Sequence, residues 1–587
     1  MSIRMRKGQF SDIFRKIKYA CEKKWKSDKN NGEKKKENVV VLGSGWGGIH
    51  FMLNIDFEKY NVTLVSPRNY FTFTPLLPCL CSGTLSVKSC KENVKNFLKK
   101  NNCTSNYLQY ECTDIMYNDK YIICKDKNDK QVKIFYDYLV IAVGAKSNSF
   151  NIKGVDKYAF FVKDIEDALK IRNKFLQNLE KCKIKNYSEE KKKNLLHIVV
   201  VGGGPTGVEV AGEFADFVNK EIKNKYKNIY PYISISIIES GNKLLPTFTE
   251  NISNFTKNNF NILNINVYTN YCVTEIDEYY FFIQSSLNQN EKKKKIPYGL
   301  IIWASGIKQT ILINNFLKKI PEQVHNNILN VNSHLNVIGL NTFNIFAIGD
   351  CKIIKPLQLH KYTYEIINFL NTNNLNSNCL KLKSKELCKI FPQVSENKWD
   401  YFNNKKDNMN EIEFENYLHK IDLNYKTPSP TAQNAKQEAY YLSYIFNNYL
   451  QNKNNVLIPS FLDTWKASPN MEISFTFFVG HISNKVLRST LSLDQLNAFH
   501  QPFLMLLSTA TENGKTVEKC SNARDVSGDS DDSGDSDDSD DSDGSGDSDD
   551  SDDSDGSGDN DVFPKQISAR KILLRRGRCA ASIRASM

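Results

Sequence analysis

Short runs of apolar residues, rich in Val and Ile and each followed by glycines or polar residues, recur along the chain. Runs of this length and composition are typical of strands that are buried on both faces of a parallel sheet. The predicted strands are Asn38–Leu42, Val62–Val65, Tyr138–Val143, Leu196–Val201, Ile233–Glu239, Leu300–Ala304 and Phe343–Ile348.

Segments with helical spacing lie between these strands. Lys163–Leu179 has apolar residues at that spacing, and another predicted helix follows Leu196–Val201 and ends near Asn219. Strands that alternate with helices predict doubly wound parallel sheets. Two of the strands lead into glycine-rich turns about 160 residues apart, which indicates a repeated architecture. The expected fold class is therefore α/β, with two Rossmann-like dinucleotide-binding domains.

Polar segments rich in Lys and Asn interrupt this pattern. Residues 186–194 and 288–295 are predicted to be solvated loops, and residues 367–427 form a longer polar insertion. Residues 451–526 have no clear period and are interpreted as a divergent C-terminal region. Residues 527–587 combine Ser/Asp/Gly repeats with a basic end, and this segment has too few apolar residues to fold alone.

The formal net charge of the 587-residue chain is +12, but the charges are segregated. Residues 529–561 carry 17 Asp and no Lys or Arg, so the rest of the chain stands at +29. An excess of this size suggests an anionic partner: a membrane surface, a nucleotide or nucleic acid. Most of the excess lies in loops and at the two ends of the chain, and this distribution does not indicate a nucleic-acid partner.

The cysteine pattern and the length of the apolar runs exclude several classes of protein. The 14 cysteines are scattered and include no C-x-x-C pair, which argues against a disulfide framework and against a structural zinc site. No metal site is predicted. An apolar run of about 18 residues, which a transmembrane helix needs, does not occur.

The N-terminal segment, residues 1–37, holds 13 basic and 5 acidic residues. Within it Phe10, Ile13, Phe14 and Ile17 share one helical face. A basic amphipathic start without an apolar core predicts a mitochondrial import segment or a helix on a membrane surface. The alternative is a solvated, Lys-rich tail.

The first glycine-rich turn, G-S-G-W-G-G at residues 43–48, directly follows a predicted strand. In this spacing Gly43 permits the tight turn, Gly45 lets a pyrophosphate approach the backbone, and Gly48 allows close packing of helix and strand. The helix N-terminus then faces the phosphates with its positive dipole. A lone match would be weak, but the strand before it favours dinucleotide binding.

The second turn, G-G-G-P-T-G at residues 202–207, repeats this spacing after Leu196–Val201. The next strand ends at Glu239, whose carboxylate can accept hydrogen bonds from a ribose and would repel a 2′-phosphate, which favours NADH over NADPH. The alternative is a surface glutamate at a strand end. The corresponding strand of the first unit ends at Ser66, so the two sites are expected to hold different dinucleotides.

Two dinucleotide folds in one chain are typical of proteins that transfer electrons between a flavin and a nicotinamide. Two more segments support a flavin site. Residues 138–144 predict a strand that returns to the first domain, and Asp350 directly follows a buried strand. At that position Asp350 can bind ribitol hydroxyls, or it can cap a helix.

Three motifs in order carry a resemblance to a known family: residues 65–78 (VSPRNYFTFTPLLP), 202–209 (GGGPTGVE) and 431–438 (TAQNAKQE). Together they resemble the type II, single-subunit, rotenone-insensitive NADH:ubiquinone oxidoreductases, and the Asn/Lys-rich insertions are similar to those of malaria-parasite members. The helix after Gly48 lacks the cysteine pair of the related disulfide reductases.

The resemblance implies FAD in the first domain, NADH in the second and a quinone site beside the membrane. By motif, Gly43, Gly45, Gly48 and Asp350 hold FAD, whereas NADH is held by Gly202, Gly204, Gly207 and Glu239. Further cofactor contacts are expected at Trp46, Ser66, Pro67, Arg68, Thr74, Gly144, Gly306, Gly349 and Ala432. Gln433 and Gln437, four residues apart on one helical face, flank the quinone head.

The same resemblance implies a domain order and a reaction. FAD binds to residues 38–162 and 336–450, NADH to 163–335, and residues 431–450 form the quinone-site helix. NADH passes a hydride to the flavin, which reduces ubiquinone without proton pumping. Glu209 would hydrogen-bond the nicotinamide or relay protons, unless it is simply an acid in the first turn of its helix.

Such an enzyme would lie at the mitochondrial inner membrane as a peripheral protein. The sequence does not decide whether it forms a homodimer. Two alternatives share the fold. The first is a soluble FAD-dependent NADH oxidase or ferredoxin-type reductase, favoured by the lack of a recognisable membrane-binding segment after Asn452 and disfavoured by the Gln433 motif. The second is a flavoprotein fold retained as an interaction scaffold, which the intact glycines and Asp350 disfavour.

Overall fold

The computed structural model describes residues 36–100, 105–288, 290–364, 366–367, 391, 393–394, 409–425, 427–450 and 460–462. The expectations for the basic N-terminal segment, most of the polar insertion, the divergent C-terminal region and the Ser/Asp repeats therefore lie outside the described residues. No helix in the described part of the chain is long and apolar enough to cross a membrane.

The first glycine turn belongs to a five-stranded sheet whose pairings are all parallel. Its central strand is β1 (Glu37–Leu42), followed by helix α1 (Trp46–Asn54) and strand β2 (Tyr60–Val65). Val39 to Leu42 are almost completely buried, as a Val-rich run covered on both faces requires. Across the sheet the order is Ile345–Ala347, Tyr138–Ile141, β1, β2 and Asn106–Leu108.

The second glycine turn lies in another five-stranded parallel sheet. The long helix α2 (Ile165–Ile184) comes before it in the chain, and strand β3 (His197–Val201) is its central strand. Helix α3 (Pro205–Phe217) follows the turn and leads to strand β4 (Ser234–Glu239). The strand order is Phe160–Phe161, Leu300–Trp303, β3, β4 and Ile265–Thr269. The two Rossmann-like units predicted from the sequence are therefore confirmed.

Smaller elements complete the described structure. The remaining strands are Tyr70–Thr72, Lys91–Asn93, Glu111–Met116, Tyr121–Lys125, Gln131–Phe135, Lys146–Ser147, Tyr271–Ile276, Tyr280–Ser285, Lys294–Pro297, Ile307–Lys308, Leu329–Val331 and Lys352–Ile354. The remaining α-helices are Leu77–Ser82, Val87–Cys90, Val94–Lys100, Val155–Tyr158, Glu189–Leu195, Lys223–Lys225, Glu250–Ile262, Ile311–Lys319, Glu411–Asn424 and α4 (Ala432–Ile445). Short 3₁₀ or π turns are Thr74–Leu76, Val218–Ile222, Tyr230–Tyr232, Pro321–Gln323, Gly349–Cys351, Leu359–Tyr362 and Phe446–Leu450.

Helix α4 packs against α1 and closes the core of the first unit. Its buried face includes Ala439 and Leu442, and the aromatic ring of Phe446 just beyond it contacts Phe51 edge-on at 5.2 Å. The buried Tyr60 hydroxyl donates a hydrogen bond to the Phe446 carbonyl at 2.8 Å. The segment with the quinone-type motif is thus part of the same core as the first glycine turn.

The predictions that residues 186–194 and 288–295 are loops were both partly wrong. Residues 186–194 contain most of the helix Glu189–Leu195, which the Ser188 side chain caps by accepting a hydrogen bond from the Lys191 amide. Two acids in its first turn and lysines in its last turn suit the helix dipole, and this arrangement stabilises a helix with no buried residue. The end of 288–295 is part of the strand Lys294–Pro297.

Candidate active site

Gly43, Gly45 and Gly48 of the first turn have three different structural roles. Gly43 has φ of +106°, and a Cβ there would lie 2.3 Å from the Ala142 carbonyl oxygen. A Cβ on Gly48 would lie 1.8 Å from the Gly43 oxygen, so helix and strand approach too closely for a side chain. A Cβ on Gly45 would have no atom within 4 Å. Gly45 therefore leaves open space at the N-terminus of α1, as a bound pyrophosphate requires.

The second turn repeats this division of roles. Gly202 has φ of +113°, and a Cβ there would lie 2.8 Å from the Ala304 oxygen. A Cβ on Gly207 would lie 1.9 Å from the Gly202 oxygen, whereas one on Gly204 would have no neighbour within 4 Å. Gly306, another predicted cofactor contact, comes just after Ala304, with φ of +68°. The structure thus brings the predicted nicotinamide-site glycines to one edge of the second sheet.

The residues predicted to contact a flavin nucleotide after β2 surround the first turn. The Ser66 hydroxyl is 2.9 Å from the hydroxyl of Ser44, which lies inside the turn, and both are buried. The Pro67 carbonyl accepts a hydrogen bond from Gln109 at 3.1 Å. Arg68 forms an ion pair with Asp164 at 2.7 Å, which ties this segment to the start of α2.

Trp46 and Thr74 also lie together. The Trp46 indole N–H donates to the Thr74 hydroxyl at 2.9 Å, so the first turn of α1 is joined to the threonine of the family motif. Gly144, with φ of +65°, ends the segment after the strand Tyr138–Ile141, at the carboxyl edge of the same sheet. Open parallel sheets bind their ligands at that edge.

Asp350 follows the strand Ile345–Ala347 within a short 3₁₀ turn that begins at Gly349, which has φ of +76°. Its carboxylate is partly buried and accepts a hydrogen bond from the Lys163 ammonium at 3.0 Å. Asp350 is therefore held at the carboxyl edge of the first sheet by a cation that the sequence pattern did not single out. Lys163 is adjacent to Asp164, which pairs with Arg68. Two neighbouring residues therefore form ion pairs with two predicted flavin contacts, Asp350 and Arg68.

Glu438 of α4 connects the quinone-type motif to this turn. Its carboxylate accepts a hydrogen bond from the Gly349 amide at 2.7 Å and forms a buried ion pair with Lys352. Glu438 belongs to the motif TAQNAKQE, but the sequence predicts contacts only for Ala432, Gln433 and Gln437 of that motif. Its spacing with the apolar residues Ala435 and Leu442 on one helical face was the signal that its side chain points into the core.

Glu239 ends β4 with both carboxylate oxygens held by the backbone. One oxygen accepts from the Gly203 amide at 2.6 Å and the other from the Gly241 amide at 2.7 Å. The Ser240 hydroxyl also donates to the Oε1 atom, at 3.3 Å. These bonds fix the carboxylate beside the second glycine turn, and the Oε2 atom keeps a further lone pair for a ribose hydroxyl. The arrangement fits a nucleotide that has no phosphate on its ribose.

Replacing Glu239 with Ser is expected to weaken the preference for NADH. The ratio of kcat/KM for NADH over NADPH should fall on the order of 100-fold, since a hydroxyl can hydrogen-bond a ribose without repelling a phosphate. Steady-state kinetics with both nucleotides measure it. Glu250→Ser, at an exposed acid of the same unit, is the matched control. An unchanged ratio in Glu239→Ser would contradict the assignment.

Glu209 lies in the second turn of α3, because that helix begins at Pro205; the alternative that Glu209 is an acid of the first helical turn was wrong. Its carboxyl is one helical turn from Glu213, which accepts a hydrogen bond from the Thr84 hydroxyl at 3.2 Å. Burial, and secondarily the Glu213 charge, raise the pKa of Glu209 to about 8. Glu209 is therefore protonated at neutral pH and can donate a hydrogen bond.

The N-terminal part of α4 presents the predicted quinone residues. The Thr431 side chain caps the helix by accepting from the Asn434 amide, so that Ala432 is the first helical residue. Gln433 and Gln437 are both partly buried and stand one turn apart on one face. In the described part of the chain, the Gln437 Oε1 atom is buried and has no hydrogen-bond partner.

Two open glycine turns at the carboxyl edges of two Rossmann-like sheets, the first with Asp350 at the same edge, are typical of a flavoprotein with a second dinucleotide site. The chain belongs to the pyridine nucleotide-disulphide oxidoreductase family, whose family model matches residues 37–368. A second model, the PfNDH2 helical insertion domain, matches residues 361–425. The described helix Glu411–Asn424 lies within that match.

Relatives narrow the family further. The structures of NDH2 from Plasmodium falciparum, in complex with NADH and in complex with RYL-552, are 63% identical to this chain; the match has a TM-score of 0.67 and covers 73% of this chain and 86% of theirs. The external alternative NAD(P)H-ubiquinone oxidoreductase B1, mitochondrial, of Solanum tuberosum is 34% identical over 453 residues, 73% of this chain and 77% of that protein. The resemblance to the type II enzymes is therefore confirmed.

Proposed function

We propose that the protein oxidises NADH and passes two electrons through FAD to ubiquinone, without proton pumping, at the mitochondrial inner membrane. The plant relative is named as a mitochondrial NAD(P)H-ubiquinone oxidoreductase, and NDH2 of P. falciparum was solved with NADH. The observation that carries the proposal is the hydrogen bond from the Gly349 amide to Glu438. This bond joins the helix with the quinone-type glutamines to the segment that is expected to hold the flavin.

The residues of the first unit fit FAD. Gly45 and the uncapped N-terminus of α1 would receive the pyrophosphate, and Asp350 would hold the ribitol. Bound FAD supplies the two-electron relay between nicotinamide and quinone. Lys163 keeps the Asp350 carboxylate in place, and Trp46, fixed by Thr74, shapes the entry to α1.

The second unit and α4 provide the two substrate sites. Gly204 leaves room for the NADH pyrophosphate, and Glu239 orients the adenosine ribose. Gln433 and Gln437 of α4 would hydrogen-bond the quinone oxygens. Glu209, protonated at neutral pH, would donate to the nicotinamide carboxamide or pass a proton onward.

The purified protein tests this function directly. A flavin absorbance spectrum, flavin reduction by NADH and reoxidation by a short-chain quinone are all expected. Absence of bound flavin would favour the scaffold alternative, in which the fold only mediates contacts. Reduction by NADH without reoxidation by quinone would favour the soluble oxidase or reductase.

The acid–base state of Glu209 predicts a pH profile. Its pKa is raised in the folded state, so the proton is held at neutral pH and lost as the pH rises through about 8. The rate of NADH oxidation should therefore fall above about pH 8. In Glu209→Gln, a side chain that cannot ionise, the alkaline fall should disappear.

A matched control for this profile is Glu221→Gln, which changes an exposed acid just beyond α3. Its pH profile should follow that of the wild type. If Glu209→Gln reduces quinone normally and keeps the alkaline fall, Glu209 has no part in the mechanism. If Glu209→Gln is slow but flat with pH, proton transfer rather than hydrogen bonding is its role.

Peripheral membrane association, a homodimer and the domain boundaries are further parts of the proposal. We assign residues 38–162 and 336–450 to FAD and 163–335 to NADH. The crossing from one unit to the other near α2, where Lys163 pairs with Asp350, supports this division. Co-sedimentation with vesicles that contain anionic lipid, and analytical ultracentrifugation, test the first two properties.

A further inference from the structure

His50 is a buried histidine between helices α1 and α4 of the first unit. The proposed function assigns the flavin to the N-terminus of α1 and the quinone to α4. His50 lies on α1, one turn after Trp46, and only 5% of its surface is exposed. The Trp46 ring is stacked against it with centroids 5.5 Å apart. The Tyr440 ring of α4 meets it edge-on at 5.7 Å, and Tyr440 itself is exposed.

These two helices pack together, and each carries a buried polar atom that lacks a partner in the part of the chain that the structure describes. These atoms are the Nδ1 atom of His50 on α1 and the Oε1 atom of Gln437 on α4. Burying a hydrogen-bonding atom without a partner costs about 1–3 kcal/mol, so each such atom needs an explanation, and a bound polar molecule is one that would satisfy both of these atoms. Tyr440, next to His50, is one turn beyond Gln437 on α4.

Two partly buried histidines in the described residues, His197 and His334, have hydrogen-bond partners. His197 in the second unit contacts the Pro297 carbonyl at 2.7 Å and the Ser236 hydroxyl at 2.8 Å. His334 contacts the Tyr441 hydroxyl at 3.0 Å. His50 therefore does not follow the pattern of a histidine that only fills the core.

The protonation state of His50 suits a neutral, polar ligand. Burial, and secondarily the nearby Lys436 ammonium, lower the pKa of His50 to about 4. At neutral pH the ring is uncharged, with one N–H donor and one lone pair. A quinone head group offers carbonyl acceptors on a flat ring, and its reduced form offers hydroxyl donors. An uncharged imidazole can pair with both forms, and the Gln437 oxygen can accept from the reduced form.

We propose that His50 is a quinone-contacting residue. Its imidazole hydrogen-bonds one oxygen of the quinone head group opposite Gln437, while Trp46 and Tyr440 flank the quinone ring. This inference rests on the proposed function and adds a residue that the glutamine motif does not include. The site accepts a planar quinone and its hydroquinone. The contribution of His50 is binding and orientation of the head group beside the flavin.

The test separates the two half-reactions in the flavin-loaded full chain. Stopped-flow absorbance follows reduction of the flavin by NADH and then its reoxidation by a short-chain ubiquinone. His50→Phe keeps an aromatic ring but removes both nitrogens. It should leave reduction by NADH within about twofold, while KM for the quinone rises, or reoxidation slows, about tenfold, the effect of one lost hydrogen bond.

His50→Gln supplies a neutral donor and acceptor and should recover most of the quinone step. The matched control is His197→Gln, which changes a partly buried histidine whose two ring nitrogens both have partners, and it should leave reoxidation by quinone unchanged. Normal reoxidation by His50→Phe overturns the proposal. Loss of bound flavin in both His50 variants also overturns it, because His50 would then support the flavin site alone. If the wild type is not reoxidised by quinone, the proposed function itself has failed.

Discussion

Replacing Gly207 with Ala is expected to leave FAD bound and to abolish reduction of the flavin by NADH. The added Cβ would lie 1.9 Å from the Gly202 oxygen, so α3 and the turn before it must move apart. This displacement disturbs the backbone that receives the NADH pyrophosphate but not the separate first sheet. Overpacking costs about 1–3 kcal/mol. Because the backbone that binds the pyrophosphate is also displaced, the rate of flavin reduction at a fixed NADH concentration should fall at least about 100-fold.

Two further substitutions make this experiment selective. Gly48→Ala places a Cβ 1.8 Å from the Gly43 oxygen in the first unit and should lose bound flavin. Gly204→Ala adds its Cβ to open space, so its melting temperature should equal that of the wild type even though NADH binds less tightly. Flavin content, melting temperature and stopped-flow reduction by NADH distinguish the three variants. Wild-type reduction of Gly207→Ala would contradict the assignment of the second turn to NADH.

Much of this fold could be predicted because its strands are buried on both faces. A strand such as β1 must be apolar along its whole length, and Gly43 and Gly48 after it have no substitute, because an added Cβ would clash with a backbone oxygen. Hydrophobic period and glycine spacing therefore located both sheets and both turns. The helix Glu189–Leu195 buries none of its residues, so no apolar period marked it, and only its cap and its charge order reveal it.

The parts of the site that sequence reasoning missed are contacts between distant segments. Lys163 meets Asp350, and Lys352 meets Glu438, across many residues of intervening chain. A lone lysine in a Lys-rich chain carries no signal of its own, because most lysines are solvated. The unpartnered Nδ1 atom of His50 is equally invisible in the sequence, since burial and missing partners are properties of the folded structure.

The buried pair between Lys352 and Glu438 predicts the largest change in stability. Glu438→Leu leaves the Lys352 ammonium buried without its counter-charge and removes the acceptor of the Gly349 amide. Breaking a buried ion pair on one side costs about 3–5 kcal/mol. Because Gly349 precedes Asp350, we expect this variant to melt at a lower temperature and to release its flavin more readily than the wild type. Thermal melting followed by flavin fluorescence measures both effects.

The double variant Lys352→Met with Glu438→Leu separates charge from shape. Burial raises the pKa of Glu438, and the Lys352 ammonium opposes that rise, so neither group tolerates the loss of the other. Removing both charges replaces the pair with apolar side chains of similar volume, a change that is often neutral in proteins. The double variant should therefore melt close to the wild type, although the Gly349 amide still lacks its acceptor. If the double variant releases flavin as readily as Glu438→Leu alone, the hydrogen bond to Gly349, rather than the ion pair, holds the Asp350 turn in place. If the single and the double variant both melt like the wild type, the ion pair has no part in stabilising α4 against the first sheet.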